Sequence, residues 1–246
     1  MKKLLLGTLA LVAMAAPALT ADLPAAKAPP IVTPVYDWTG FYVGGNVGWG
    51  QANNCWDVEV GGVFTRDSCL NSQGAVIGGQ AGYRWQIGPA VFGLEAQGDW
   101  ANLSLVHTSI LDPTIATSSK VNGLGVFTGQ IGYSSGQGLF YVKGGAAVTS
   151  STFGLTDAAT GIGLASISST RWGGAVGAGF EWLLTPSWSV GLDWDHLFMG
   201  NANNTFSVAS PVFGGVLNRI NQDLDIVTIR FNYKLSGYGG PVVARY

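Results

Sequence analysis

The sequence predicts an all-β fold: an eight-stranded antiparallel transmembrane up-and-down β-barrel with short periplasmic turns and long extracellular loops. Three observations predict it: few charges, eight segments in which apolar residues recur with a period of two, and connections that alternate between short and long. Charged residues make up 11% of the 246 residues, against roughly 25% in a soluble domain. The formal net charge of −2 gives no basic or acidic excess, so nothing indicates a nucleic-acid partner.

The first 21 residues are typical of an export signal. Lys2 and Lys3 precede the apolar run "LLLGTLALVAMAAPAL", and small residues follow, which predicts a signal peptide over 1–21 with cleavage after Thr20 or Ala21. The alternative, an uncleaved anchor helix, is disfavoured because the run is short and Pro17 interrupts it. We predict a Pro-rich periplasmic linker over residues 22–37, the barrel over 38–235, and a periplasmic C-terminal tail over 236–246.

Each of the eight predicted strands carries one apolar face and one polar or glycine face. In "GFYVGGNVGW" the apolar residues occupy every second position, and about ten residues in a tilted strand cross the bilayer core. Glu181 and Asp193 each lie beside a tryptophan. If lipid surrounds the barrel, the acids point inward and the tryptophans outward. The alternative, a soluble β-sandwich, is disfavoured because the Gly- and Ala-rich faces make a poor solvent surface.

The connections and the aromatic residues predict how the strands cross the membrane. We predict tight periplasmic turns at residues 87–89, 134–138 and 184–187. We predict long polar extracellular loops at 51–72, 101–120, 149–169 and 200–221. Threading the strands up and down gathers aromatic residues at both ends, as expected for two interfacial belts. The predicted lipid-interface aromatics are Phe41, Trp49, Tyr83, Trp85, Phe92, Trp100, Tyr133, Phe140, Trp172, Trp182, Trp188 and Tyr233.

The inward faces carry charges of both signs. An eight-stranded barrel has room for little more than its own side chains, and buried charges persist when they are paired. We therefore predict a structural ion-pair network in the lumen; a proton or ion path is the functional alternative. The predicted members are Arg84, Glu95, Asp99, Lys143, Glu181, Asp193, Arg230 and Lys234.

Cys55 and Cys69 are the only cysteines. Export to an oxidising compartment predicts a disulfide between them, lying in the first long loop. The alternative is a two-cysteine metal site, which is disfavoured because no histidine or second cysteine pair lies near.

No catalytic, cofactor-binding or metal-binding constellation is predicted. In "DWDH", Asp193 and Asp195 share one face, whereas His196 takes the other, so the three cannot converge on a metal from a regular strand. His107 is predicted to lie alone in a loop. With two histidines so placed, a Ser-His-acid arrangement is not expected.

Several motifs together resemble one family, the small outer-membrane β-barrel proteins of α-proteobacteria, also called a porin family. They are "ADLP", "YDWTGFYVGGNVGWG", "GAGFEWLLTPSWSVGLDW", "VTIRFNYKL" and the terminal "GGPVVARY". The resemblance spans residues 21–246 and implies an eight-stranded barrel with a role in envelope structure and surface contact, without an enzymatic reaction. One difference from that family lies in the fourth strand, which often carries inward arginines there. This chain has Thr128 and Gln130 at those positions.

Three functional hypotheses follow. The first is a structural barrel in outer-membrane lipid that presents its four long loops to surface or host ligands. The second is a narrow porin for small solutes, and the remote third is a lipid-modifying barrel enzyme. The sequence leaves the oligomeric state and the loop ligand open.

Overall fold

The computed structural model describes residues 36–60, 62–205 and 217–235. The predicted signal peptide, nearly all of the predicted linker, and the predicted tail lie outside these residues. Eight antiparallel strands form a closed barrel in which each pairs with its sequence neighbours and β1 pairs with β8. The strands are β1 (Gly40–Val60), β2 (Val63–Ile87), β3 (Ala90–Thr108), β4 (Ile115–Ser135), β5 (Gly138–Asp157), β6 (Gly163–Leu183), β7 (Trp188–Thr205) and β8 (Leu217–Lys234).

The turns at one end are short. Residues 88–89, 136–137 and 184–187 connect β2 to β3, β4 to β5 and β6 to β7. Gly88 and Gly136 have φ angles of 60° and 59°, in the left-handed region where glycine is favoured. Within the described ranges, no helix is long and apolar enough to cross a membrane.

The prediction of long polar loops at the other end requires correction. Most of residues 51–72, 101–120 and 149–169 are strand. The fourth loop is predicted over 200–221, but β7 continues to Thr205 and β8 begins at Leu217, so both strands extend into it. The connections between β3 and β4 and between β5 and β6 are residues 109–114 and 158–162. These segments are rich in Ser, Thr, Asn and Gly, which usually indicate loops. However, their alternation persists, so the ladder continues.

Along β1 the two faces exchange polarity at Trp49. Up to that residue the outward side chains larger than glycine are apolar, namely Phe41, Val43, Val47 and Trp49. Beyond it the outward positions are Gln51, Asn53, Cys55, Asp57 and Glu59, and the buried inward ones include Ala52, Trp56 and Val58. The barrel therefore has two parts: a lower part with an apolar outer surface, and an upper part with a mostly polar outer surface and a mostly apolar interior.

The lumen is filled by buried layers of side chains. A small apolar cluster lies at the short-turn end: Trp38, Val91, Leu139, Tyr141 and Leu183. Charged residues follow, and a second apolar cluster lies above them: Ala52, Val76, Ala101, Leu103, Val121, Leu124, Val126, Ala147, Ala175, Leu197, Met199, Leu224 and Ile226. The upper part holds a third cluster: Trp56, Val58, Ile115, Phe153, Leu155 and Ile220.

Candidate functional site

The charged layer of the lower lumen is built around three cations. Arg84 on β2 reaches across the lumen to Glu181 on β6, where Nη1 and Nη2 donate to the two carboxylate oxygens at 3.0 and 2.6 Å. Both side chains are almost fully buried. The guanidinium also lies 4.4 Å from the ring centroid of Tyr42. Such a two-pronged pair fixes orientation as well as charge.

The other two cations share acids from three strands. Arg230 on β8 pairs with Glu95 on β3, and its Nη1 lies 3.3 Å from Asp193 Oδ2 on β7. Lys143 on β5 pairs with Asp193, and its Nζ lies 2.9 Å from Asp195 Oδ2 and 3.7 Å from Glu95 Oε1. Each cation therefore faces at least one buried carboxylate, and the pairs link strands that are distant in sequence.

Two tyrosines complete the layer and were missed by the sequence reasoning. Tyr42 Oη donates to Glu95 Oε2 at 2.6 Å, and Tyr141 Oη donates to Asp193 Oδ1 at 2.8 Å. Glycines make room for both rings: a Cβ on Gly82 would lie 2.5 Å from Tyr42 Oη, and one on Gly179 would lie 2.4 Å from Tyr141 Cζ. An inward tyrosine opposite a glycine was the signal available in the sequence.

Two residues predicted for the ion-pair network occupy different environments. Lys234 is the last residue of β8, at the short-turn end, where its Nζ donates to the carbonyl of Asp37. Asp99 accepts from the side-chain amides of Asn46 at 2.8 Å and Gln97 at 2.7 Å, rather than pairing with a cation of the described chain. Asp195, which was not included in the predicted network, joins it instead. The alternation along a strand indicates which face a residue occupies, but not its height along the barrel.

The predicted interface aromatics lie on the outer surface of the lower part. Eleven of the twelve are substantially exposed, with Trp100 at 76%. Tyr83 is half-buried, since its ring lies 4.5 Å from that of Phe41 and 4.8 Å from that of Trp85. Trp188 lies against Tyr233 on the neighbouring strand, with ring centroids 4.8 Å apart. Exposed rings ordered in this way form the amphipathic contacts that a bilayer interface favours.

Cys55 and Cys69 form a disulfide. It lies in the ladder rather than in a loop, because the two residues are direct partners of the β1–β2 pairing. Both occupy the outer surface of the upper part, near the pair formed by Arg66 Nε and Asp57 Oδ1 at 2.8 Å. The prediction that the disulfide lies in a loop is therefore wrong, because most of the predicted loop 51–72 is strand.

The residues of "DWDH" diverge. Asp193 and Asp195 point into the lumen and bind Lys143, whereas His196 lies on the outer face with its Nδ1 2.8 Å from Asp225 Oδ1 on β8. Across the described ranges, no three His, Cys, Asp or Glu side chains are arranged to hold a metal ion. His107 lies within β3 rather than in a loop.

A closed antiparallel barrel with an aromatic-bordered apolar outer surface and a charged, filled lumen defines a transmembrane β-barrel of the outer membrane. A family model described as "Outer membrane protein beta-barrel domain" matches residues 6–214. The chain belongs to this family, and its place is the cell outer membrane.

Similarity to individual proteins agrees with this assignment. The chain is 29% identical over 220 residues to proteins named "31 kDa outer-membrane immunogenic protein" from Brucella melitensis and Brucella suis, covering 82% of this chain and 89% of theirs. The solved structure of the outer membrane protein OprG from Pseudomonas aeruginosa matches with a TM-score of 0.52 at 14% identity. That match covers 81% of this chain and 97% of OprG, and it supports the fold alone.

Proposed function

We propose that this protein is a structural barrel of the outer membrane that does not conduct solutes and that presents a rigid β-extension to surface or host ligands. The observation that carries the proposal is the filled lumen. Three apolar clusters and one charged layer lie in the interior, and their members are buried. An eight-stranded barrel leaves no aqueous channel of the kind found in barrels with sixteen strands.

The charged layer supports the same proposal. Opening a water path would separate pairs such as Arg84 with Glu181, whose side chains are 3% and 0% exposed. Breaking a buried pair leaves an uncompensated charge, which is strongly unfavourable. The layer therefore acts as a seal, and a porin function, the second hypothesis, would require it to rearrange.

Conductance in a planar bilayer tests the seal. The purified monomeric protein should give a silent record or small, rare openings. Glu181→Ala should raise the frequency of openings, because it removes the partner of Arg84. The exposed variant Arg66→Ala is the matched control and should remain silent. Stable, large steps of a single size from the unaltered protein would reject the seal and favour the porin hypothesis.

The upper part supports a role in surface contact. Near its strand ends lie exposed aliphatic side chains, among them Val63, Val106, Ile110, Ile162 and Leu164. Exposed apolar groups grouped at one end of a molecule are typical of contact surfaces. The Brucella relatives are named as outer-membrane immunogenic proteins, which fits exposure of this part at the cell surface.

Epitope accessibility tests the orientation. Gly161 lies in the turn between β5 and β6, and Gly136 lies in the turn between β4 and β5, at opposite ends of the barrel. Both have positive φ angles and open space around the Cα, so each turn should accept an inserted epitope. The epitope at Gly161 should bind antibody on intact cells, and the one at Gly136 only after permeabilisation. The reverse result would invert the proposed topology.

We further propose that the protein is not an enzyme. His196 is the histidine with an acidic partner, yet the structure gives it no hydrogen bond to a serine, threonine or cysteine of the described chain. A lipid-modifying reaction through a covalent enzyme intermediate requires such a group beside the base. If His196→Ala altered the chemical structure of outer-membrane lipid in cells, this part of the proposal would fail.

A further inference from the structure

Arg171 differs from every cation of the lower lumen. It lies on the inward face of β6, 6% exposed, and its Nη1 donates to the carbonyl of Ile220 at 2.9 Å. Its Nε and Nη2 are buried and have no hydrogen-bond partner. None of the described carboxylates forms an ion pair with it. The guanidinium carbon lies 5.1 Å from the ring centroid of Phe153.

The two unpartnered nitrogens point to a ligand. Nε and Nη2 form one edge of the guanidinium and carry parallel N–H donors, the arrangement that binds carboxylates and other anions side-on. A buried guanidinium keeps its charge, because it does not lose its proton in proteins. A charge taken out of water without a counter-charge is strongly unfavourable. An anion at this edge would supply both the missing acceptor and the missing charge.

The neighbouring side chains are polar and in part unpartnered. Thr149 is the cross-strand partner of Arg171 on β5, and its buried Oγ1 has no hydrogen-bond partner. Ser151, two residues along, lies in hydrogen-bond contact with Gln222, and Gln222 also donates to Asn54 at 3.1 Å. A polar layer thus lies between the apolar clusters of Leu103 and of Phe153. It offers a further hydroxyl donor beside the guanidinium and no carboxylate that would repel an anion.

The barrel wall is not fully paired beside Arg171. Pairing between β6 and β7 ends at Gly174 with Phe198, whereas the pairing of β5 with β6 continues to Gly163. Beyond Gly174 the inward side chains of β6, Ala165, Ile167 and Ser169, are half-buried. By contrast, Trp56 of β1 and Leu155 of β5, which also point inward in the upper part, are buried. Among the described residues, the unpaired edge of β6 beyond Gly174 offers a small solute from the extracellular side a route to Arg171.

We propose that the upper lumen contains an anion-binding site in which the Nε and Nη2 edge of Arg171, assisted by the Thr149 hydroxyl, binds one small monovalent anion such as chloride or a small carboxylate. The site is separate from the seal in the lower lumen. Its occupation would neutralise the one buried cation that the protein leaves unpaired among its described residues.

Chloride-35 NMR tests the site directly. The full-length mature protein is refolded in nonionic detergent, and the chloride line width is measured as formate is added. The wild-type protein should give excess broadening that saturates and that formate displaces. Arg171→Met should lose at least nine-tenths of that broadening. Arg66→Met removes an exposed arginine and should keep it. Equal broadening in wild-type protein and Arg171→Met, or none in the wild type, would overturn the proposal.

Two further measurements cover a variant that does not fold. Folding of each variant is checked by the difference in gel mobility between unheated and boiled samples. If Arg171→Met does not fold, Arg171→Lys replaces it, because lysine keeps the charge but lacks the two-donor edge. Independently, the thermal midpoint of the unaltered protein should rise as chloride replaces gluconate, a much bulkier anion, at constant ionic strength. A midpoint that does not change would mean that water alone satisfies Arg171.

Discussion

The lower and upper parts of this barrel use the same strands with opposite chemistry. In the lower part, the outward face of β5 carries Phe140 and Val142, and its inward face carries Lys143. In the upper part, the outward face of the same strand carries Ser150 and Thr152, and its inward face carries Phe153 and Leu155. The backbone alternation is unchanged across the boundary. The side chains on both faces change because the solvent outside the wall changes, from lipid around the lower part to water around the upper part.

The two parts are stabilised in different ways. In lipid, burying apolar groups inside the barrel gains little, because the outside is equally apolar; the interior can therefore hold ion pairs that link the strands. In water, an apolar interior is favoured as in any soluble domain. The lower part holds its cations by pairing, whereas the upper part holds its strands by packing and leaves Arg171 unpaired.

The largest expected effect comes from breaking the lower network. Glu181→Ala should lower the free energy of unfolding by about 3–5 kcal/mol, because it leaves the buried guanidinium of Arg84 without its acid. Urea unfolding, followed by the mobility of unheated samples on gels, measures this. Arg66→Ala, at an exposed pair, should change it little. An unchanged unfolding free energy in Glu181→Ala would show that the network does not stabilise the lower part.

The next test removes packing from the upper part. Phe153→Ala should cost about 3–5 kcal/mol, and the loss should be confined to the upper strands, where Phe153 packs edge-on against Trp56 with ring centroids 5.8 Å apart. Hydrogen exchange should therefore accelerate above Trp49 and not below it. Phe140→Ala, on the outer surface of the same strand, is the control and should leave exchange in the upper part unchanged. Equal acceleration in both parts would show that they unfold as one unit.

A third test places the same charge on one face of one strand at two heights. Val176 and Ser166 both point outward on β6. Val176→Lys should cost about 2–4 kcal/mol near the bilayer midplane, whereas Ser166→Lys should be tolerated in water. Ala175→Ser, on the inward face, should be mild. Urea unfolding in lipid vesicles compares the three, and similar losses for both lysines would place the upper part in lipid as well.

The smallest effect concerns a turn of the upper part. Asp157 accepts hydrogen bonds from the hydroxyl of Thr160 at 2.7 Å, and from the amides of Thr160 at 2.8 Å and Ala159 at 3.1 Å. These bonds, led by the Thr160 hydroxyl, lower the pKa of Asp157. A lowered folded pKa means that the stabilisation is present above the unfolded pKa and is lost as pH falls through the folded one.

NMR of the Thr160 amide against pH measures this titration. The midpoint should lie below that of an unfolded peptide containing the same aspartate, and the transition should vanish in Asp157→Asn. A midpoint at or above the peptide value would show that the turn does not hold the carboxylate in solution.

The amino-acid sequence predicted the class of fold because a strand in lipid has a simple pattern. The alternation from Phe41 to Trp49, the inward acids Glu181 and Asp193, and the aromatic residues near both ends were sufficient to predict a membrane-spanning barrel. The same pattern separates inward from outward residues, since parity alone decides which face a residue occupies. The alternation continues beyond Trp49, but its inverted polarity and its many turn-forming residues are typical of loops, so the sequence predicts loops there.

The level of each inward side chain along the barrel axis follows only from the tertiary structure. Which cation meets which acid depends on the register of eight strands, and register is a sum of long-range pairings that no local pattern contains. The structure therefore decided that Asp195 joins Lys143, that Asp99 is held by amides, and that Lys234 lies at the end of the barrel. It also decided that Arg171, one inward cation among several in the sequence, has no acid at its level. The face that each side chain occupies follows from the sequence, because pleating is local. Its partner across the lumen depends on closure of the whole barrel, which brings together strands that are distant in sequence.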